Sequence, residues 1–271
     1  MPHLEKMVAP NAPFYIALEK HLGGRGIDVT RLYEGDKIVA QRILEAYGAM
    51  FIACDEVMLP PVCLFSDEEA VERFQRAAKF AAAEINGAQI ELQPAALHAL
   101  LAARAEAHAR DLDITPRGGT EAARRHYGDT LRLWRSRVLP ALTHWTNSQR
   151  ISAEEAARLR DLPIVEQVAA VLQLEDRGIF FSKDFSKSIL YSVAAPGASQ
   201  HLAMLAFDVA EFMDARVREI LARHGWFQTV LSDLPHFTFL GVKESDLPAR
   251  GLHSVKAGEQ IFWIPNIAPV A

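Results

Sequence analysis

The spacing of hydrophobic positions changes along the chain, and it predicts helices first and strands later. Up to about residue 174, apolar side chains recur at three- and four-residue steps, which is the pattern of amphipathic helices. Beyond that point they form short β-branched or aromatic runs separated by Pro, Gly and Ser, which favours strands. We therefore predict helices at 37–48, 67–84, 95–111, from about 120 to 145, and at 152–160, 163–174 and 214–224.

Short apolar runs predict the strands. Two of them, at 49–53 and 62–65, flank a Leu-Pro-Pro turn, and a third lies at 88–94. In the last third of the chain the predicted strands are IFF, ILYSV, LAMLAFDV, QTVL, HFTFLGV and QIFWI. This organisation predicts two units, a smaller and mainly helical α/β region at 1–85 with no visible chemistry, and a second unit at 86–271 that ends in sheet.

The long helix predicted from about residue 120 has the clearest apolar face. Thr120 is a good capping residue, and the positions that follow define one stripe. The stripe consists of Leu131, Trp134, Val138, Leu142 and Trp145. We expect this face to lie in the core.

Composition and charge exclude some partners. Half of the 271 residues are hydrophobic, and the net charge is -5, so the chain can bury a core but offers no positive field to a nucleic-acid backbone. No apolar run approaches the roughly 20 residues that cross a bilayer, and residues 1–15 lack a basic segment followed by an apolar core. We expect no nucleic-acid partner and no membrane span. The oligomeric state stays open, as does the compartment: the periplasm or cell envelope if an export signal has been removed, and the cytoplasm otherwise.

Cysteine usage restricts the kind of metal site. Cys54 and Cys63 are the only cysteines, too few for a disulfide scaffold or a cysteine-rich metal site. They could pair in an oxidising compartment, and free, buried thiols are the alternative. Any metal must therefore be bound by His and carboxylate side chains.

Two segments of the last third place His and Asp at the edges of predicted strands. PGASQHLAMLAFDV contains His201 and Asp208, and SDLPHFTFLG contains His236. A catalytic zinc takes three such ligands and leaves a fourth position for water. These side chains would form that set if the Pro-Gly loop bends His201 towards the strand end, whereas the competing interpretation makes them ordinary caps or core contacts.

A carboxylate near this group is a candidate general base. Asp233 lies three residues before His236, where it could take a proton from an attacking water and pass it to a leaving amine. Glu211, three residues after Asp208, is a second candidate, although an exposed carboxylate beyond a strand end is its more ordinary role.

Both segments resemble motifs of the zinc D-alanyl-D-alanine carboxypeptidases, the family that includes the vancomycin-resistance carboxypeptidases and dipeptidases. The first is similar to S-x-H-x-x-G-x-A-x-D, with matches at Ser199, His201, Ala206 and Asp208. The second is similar to E-P-W-H-F-R-Y-V-G, with matches at His236, Phe237, Phe239 and Gly241. Upstream, a predicted helix followed by DITPRGG resembles the family's S-G-Y-R turn and aligns Arg117 with its arginine. The likeness covers about 90–241.

The resemblance implies an α+β domain of the Hedgehog/DD-peptidase type, with one zinc ion per chain on a central antiparallel sheet. The zinc ligands would be His201, Asp208 and His236. Ser199 and Arg117 would bind the substrate, and the Arg117 guanidinium would also stabilise the developing oxyanion, unless it is an ordinary surface arginine in a Gly-rich turn. A zinc metallopeptidase that cleaves peptidoglycan peptides next to a D-amino acid is the implied activity.

Three positions depart from the family pattern. Asp233 stands in place of Glu, Met204 in place of Gly, and Pro235 in place of Trp. Asp233 would be a shorter base, Met204 would place a side chain on the predicted strand face of Asp208, and Pro235 would remove an aromatic wall. These changes would alter activity or specificity, but all three zinc ligands are kept. The alternative functions are a non-catalytic or diverged zinc-binding domain that recognises cell-wall peptides or a protein partner, and a metal-free protein with an accidental likeness.

Overall fold

Helices dominate the first two thirds of the chain, as the apolar spacing predicts. The computed structural model describes residues 11–33 and 35–268. Its α-helices are α1 (Pro13–Gly24), α2 (Lys37–Tyr47), α3 (Glu68–Ala78), α4 (Pro94–His108), α5 (Tyr127–Asn147), α6 (Ala153–Asp161), α7 (Ile164–Glu175) and α8 (Ala215–Arg223). Side chains of Asp36, Asp67, Ser152 and Asp214 accept hydrogen bonds from the first turns of α2, α3, α6 and α8, which explains where these helices begin.

The strands form small antiparallel sheets. They are β1 (Ala81–Ile85), β2 (Ala88–Leu92), β3 (Ala206–Asp208), β4 (Trp226–Phe227), β5 (His236–Phe239), β6 (Leu252–Ala257) and β7 (Gln260–Pro265). Within the described residues β1 pairs with β2, β6 pairs with β7, and a three-stranded sheet has the order β3-β5-β4. The predicted α+β class is thereby confirmed.

Helix α5 begins later than predicted. Residues Gly119–Ala122 form a short 3-10 turn, and the α-helix starts at Tyr127. The reason is a reciprocal capping box between His126 and Asp129, which Thr120 lies too far upstream to join. Most of the predicted stripe is buried as expected, namely Trp134, Val138, Leu142 and Trp145, and Leu131 is half-buried.

Several predicted strands are absent, and one predicted helix ends early. The run at 49–53 falls in a buried 3-10 helix, Gly48–Ile52, and the runs at 62–65, 179–181, 189–193 and 228–231 do not form strands. These runs pack into the core without a partner strand, so hydrophobicity alone misleads there. Helix α3 stops at Ala78 because Lys79 adopts a positive φ of 58°, which frees β1 to pair with β2.

Contacts cross the predicted boundary between 85 and 86. The β1–β2 hairpin turns at Asn86 and Gly87, so its strands lie on either side of that boundary. The Cys54 amide donates to the Leu240 carbonyl at 2.8 Å, and Phe14 and Phe207 belong to the same hydrophobic core. Both cysteines have free thiols, and burial raises the pKa of the Cys63 thiol to about 12. The division into two units stays a prediction.

Gly197 shapes the loop that leads to the candidate site. Its φ is +90°, and a Cβ added there would lie 2.1 Å from the Phe65 carbonyl oxygen. That oxygen belongs to backbone, and the Phe65 amide also donates to the Gly197 carbonyl at 3.0 Å, so neither segment can yield easily.

We expect Gly197→Ala to lower the free energy of unfolding by about 3 kcal/mol or more, because the cost of backbone strain is added to the cost of overpacking. Gly258→Ala is the matched control, since Gly258 also has a positive φ but its added Cβ meets nothing within 4 Å. Gly258→Ala is expected to lower the free energy of unfolding by about 1 kcal/mol. Urea denaturation of both variants checks this, and equal losses would contradict the close approach at Gly197.

Candidate metal centre

Three side chains that the sequence analysis selects meet at one edge of the three-stranded sheet. Asp208 is the last residue of β3 and pairs with His236, the first residue of β5, so antiparallel register places them side by side. His201 comes from the short 3-10 helix Gln200–Ala203, which precedes β3 and turns the ring back towards the strand end. All three residues are buried and form a group that could hold a metal ion.

The ligand atoms form a nearly equilateral triangle. His201 Nε2 lies 3.1 Å from His236 Nδ1 and 3.4 Å from Asp208 Oδ1. The third side, from His236 Nδ1 to Asp208 Oδ1, is 3.3 Å. A tetrahedral zinc with bonds of about 2.0–2.1 Å requires ligand separations of about 3.3 Å. The triangle therefore has the size of one face of a zinc coordination tetrahedron.

Hydrogen bonds on the far side of each ring determine which nitrogen carries the proton. His201 Nδ1 lies 2.7 Å from the Ala123 carbonyl, and His236 Nε2 lies 2.8 Å from Gln200 Oε1. Because both oxygens only accept, these nitrogens must donate, as the outer nitrogens of metal-bound imidazoles do. In the neutral rings, His201 Nε2 and His236 Nδ1 then direct lone pairs at each other and at Asp208 Oδ1.

The charge states also suit a cation. Burial lowers the pKa of His201 below its ordinary 6.5, and this outweighs the opposite influence of Asp208. Burial alone would raise the pKa of Asp208, but the ring N–H groups and positive charge that His201 and His236 present when protonated hold it well below the ordinary 3.8. Asp208 is thus an anion, and when both rings are neutral a cation at the centre of the triangle would take the place of the ring protons.

Arg125 is a residue of this site that the sequence analysis missed, as it also missed Gln200. Its Nη2 donates to Asp208 Oδ2 at 2.6 Å, while its Nε donates to the Glu121 carbonyl at 2.8 Å. Holding Oδ2 in this way leaves Oδ1 as the single carboxylate oxygen in the triangle. The only signal in the sequence is an Arg-Arg pair before α5, which does not differ from an ordinary solvated pair.

The structure brings Arg117 beside Asp208 through the main chain. The Arg117 amide donates to the Asp208 carbonyl at 2.8 Å, and the neighbouring Pro116 forms a β-bridge with Val209. The Arg117 side chain is exposed and lies over the Phe212 ring, with Cζ 5.2 Å from the ring centroid. Ser199, by contrast, is buried directly before the turn that carries His201.

The two candidate bases differ in their surroundings. Asp233 is exposed in the turn before β5, and its carbonyl accepts from the His236 amide at 3.1 Å. Glu211 accepts from the Thr115 amide at 2.8 Å and from the Thr115 hydroxyl at 2.5 Å. Glu211 therefore anchors the 115–117 segment, which leaves Asp233 as the better candidate base.

Met204 does not share a strand face with Asp208, so that prediction was wrong. It ends the 3-10 helix of His201 with a left-handed φ of 55°, outside β3. This region of backbone space favours glycine, which is the residue that the family pattern has at this position.

Comparison with protein-family models, curated proteins and solved structures finds no match for this chain. Along residues 11–33 and 35–268, no helix is both long and apolar enough to cross a bilayer. What the chain does must therefore be inferred from its own residues, above all from the buried His-Asp-His triangle.

Proposed function

We propose that this chain is a zinc-dependent metallopeptidase that hydrolyses a D-alanyl-type peptide bond of bacterial cell-wall peptides. One zinc per chain would be held by His201, Asp208 and His236 in a fold of the Hedgehog/DD-peptidase type. The observation that carries the proposal is the convergence of two imidazole lone pairs and one carboxylate oxygen at separations of 3.1–3.4 Å. Two nitrogens and one oxygen are a donor set that zinc accepts readily.

The backbone around the ligands supports the family assignment. The motifs occur in the order that the resemblance requires, and the glycine position of the first motif is occupied by a left-handed residue, Met204. The segment that carries Arg117 pairs with the main chain beyond Asp208. A substrate arginine and a zinc ligand on adjacent chain segments suit a reaction in which both act on one peptide bond.

Each residue of the site then has a role in hydrolysis. A zinc ion at this position would act as a Lewis acid and lower the pKa of a bound water. Asp233 would accept a proton from the attacking water and return it to the leaving amine. Arg117 would hold a substrate carboxylate or the developing oxyanion through parallel hydrogen bonds. Arg125 would keep the Asp208 carboxylate in place by holding Oδ2, the oxygen that points away from the triangle.

A non-catalytic or diverged zinc-binding domain is the second candidate function. The replacement of the family's Glu by the shorter Asp233 favours it, because general-base catalysis requires hydrogen-bond reach of about 2.6–3.2 Å. Such a domain would keep the zinc and bind cell-wall peptides, or a protein partner, without cleaving them.

The experiment that tests the proposal measures bound zinc and peptide hydrolysis on the same purified chain. Elemental analysis is expected to find one zinc per chain, and the zinc-loaded protein is expected to release D-alanine from D-alanyl-D-alanine or from a muropeptide ending in it. L-alanyl-L-alanine is the control substrate. A chelator should abolish the release, and added zinc should restore it. Zinc with peptide binding but no cleavage would favour the second function, and absence of bound zinc would overturn both.

A further inference from the structure

A closed ring of buried hydrogen bonds lies behind His236. Gln200 Nε2 lies 3.4 Å from Thr229 Oγ1, the Thr229 and Thr238 hydroxyls are 2.6 Å apart, and Thr238 Oγ1 donates to Gln200 Oε1. All three residues are at most 1% exposed. Each hydroxyl has one proton to donate, so one direction of donation satisfies the whole ring: Gln200 donates to Thr229, Thr229 to Thr238, and Thr238 back to Gln200. The ring is thus satisfied without solvent.

A main-chain carbonyl fixes which way the Gln200 amide faces. Gln200 Nε2 donates to the Tyr47 carbonyl at 2.9 Å, and Tyr47 belongs to α2 in the first part of the chain. A flipped amide would set Oε1 against that carbonyl, and two acceptors would then face each other in a buried site. Gln200 therefore presents Oε1, and only Oε1, to the His236 ring.

The orientation of the Gln200 amide decides which ring nitrogen of His236 carries the proton. Oε1 cannot donate, so the His236 nitrogen 2.8 Å away carries the proton, and Nδ1 is left with its lone pair directed at the triangle. The other imidazole differs, because His201 is oriented by the main-chain carbonyl of Ala123. Of the two rings, only that of His236 depends on a side chain that mutation can remove.

We propose that Gln200 is a positioning residue that selects the Nε2-protonated tautomer of His236 and so prepares its Nδ1 to bind metal. This inference deepens the proposed function, since it rests on the same site. It adds a role for the residue next to His201 in the chain, and it links the metal site to α2 through Tyr47.

The test compares Gln200→Leu with the unchanged chain. The variant replaces the amide that accepts from His236 with an apolar side chain of similar size. We expect its zinc affinity to fall about 10–100-fold. Competition with a chelator of known affinity measures that change. Nitrogen-15 NMR of the His236 ring is the second readout, and it is expected to detect only the Nε2-protonated tautomer in the unchanged chain, with and without zinc.

Gln167→Leu is the matched control. Gln167 is also buried, accepts a ring N–H from Trp134 at 2.8 Å, and donates to the Leu159 carbonyl at 2.8 Å, but it lies among α5, α6 and α7. Its loss should lower thermal stability to a similar extent and leave zinc affinity within about twofold, because it contacts no ligand. A merely structural role for Gln200 predicts equal effects of both variants on zinc affinity.

The outcomes separate this inference from the proposed function. If the unchanged chain binds zinc but Gln200→Leu binds it equally well, the positioning role is overturned and the metal site stands. An Nδ1-protonated His236 in the metal-free chain would also overturn the inference, even if the variant does not fold. If the unchanged chain binds no zinc, the proposed function fails first.

Discussion

Asp208→Asn is expected to lose zinc affinity by more than about 100-fold, beyond the usual cost of removing an outer hydrogen-bond partner. Arg125 Nη2 donates to Oδ2 at 2.6 Å, so the oxygen of the new amide would turn towards Arg125. The amide nitrogen would then occupy the position of Oδ1, 3.3 Å from His236 Nδ1 and 3.4 Å from His201 Nε2. An N–H donor would thus replace a metal ligand and satisfy the two lone pairs itself.

Glu175→Gln is the matched control for this prediction. Glu175 is also a buried carboxylate, paired with Arg42 at 2.7 Å, and its other oxygen accepts from the Ile189 amide at 2.6 Å. Both of its oxygens face donors, so the amide should destabilise the fold by about 1–3 kcal/mol. The zinc affinity of Glu175→Gln should not change, because Glu175 lies at the contact of α2 and α7 and not in the triangle. Tight zinc binding by Asp208→Asn would remove Asp208 from the ligand set.

Asp233→Asn is expected to lower the rate of peptide release by about 10²–10⁴-fold while zinc stays bound. The amide keeps the size of the side chain but cannot accept a proton from the attacking water. The Asp233 main chain also holds the turn before β5, since its carbonyl accepts from the His236 amide, and that bond survives the change. Zinc content and hydrolysis rate measured on the same sample separate catalysis from binding.

Two further variants sharpen the test of Asp233. Asp233→Glu restores the family's longer carboxylate and should retain activity, because charge and proton affinity are kept. Asp246→Asn removes another exposed carboxylate from the short turn Glu244–Asp246 and should change nothing. Full activity in Asp233→Asn would exclude Asp233 as the base and direct attention to other carboxylates.

The sequence analysis succeeded where the relevant interactions are short-range. Helices α2, α6 and α7 begin and end close to their predicted positions, because periodic apolar side chains and local caps act within a few residues. It failed at 49–53, where a run with the composition of a strand finds no partner strand and forms a buried 3-10 helix. It also misplaced the start of α5, which depends on a capping box that apolar periodicity does not reveal.

The candidate site divides in the same way. Sequence by itself determined the chemistry that is available, namely which residues supply imidazole and carboxylate groups, their order along the chain, and the resemblance of the two motifs that contain them. Tertiary structure alone decided that Asp208 pairs with His236, that Arg125 holds the outer carboxylate oxygen, and that Gln200 holds the His236 ring. The physical reason is that lone-pair directions depend on strand register and on hydrogen bonds between residues far apart in the chain, which no local pattern encodes.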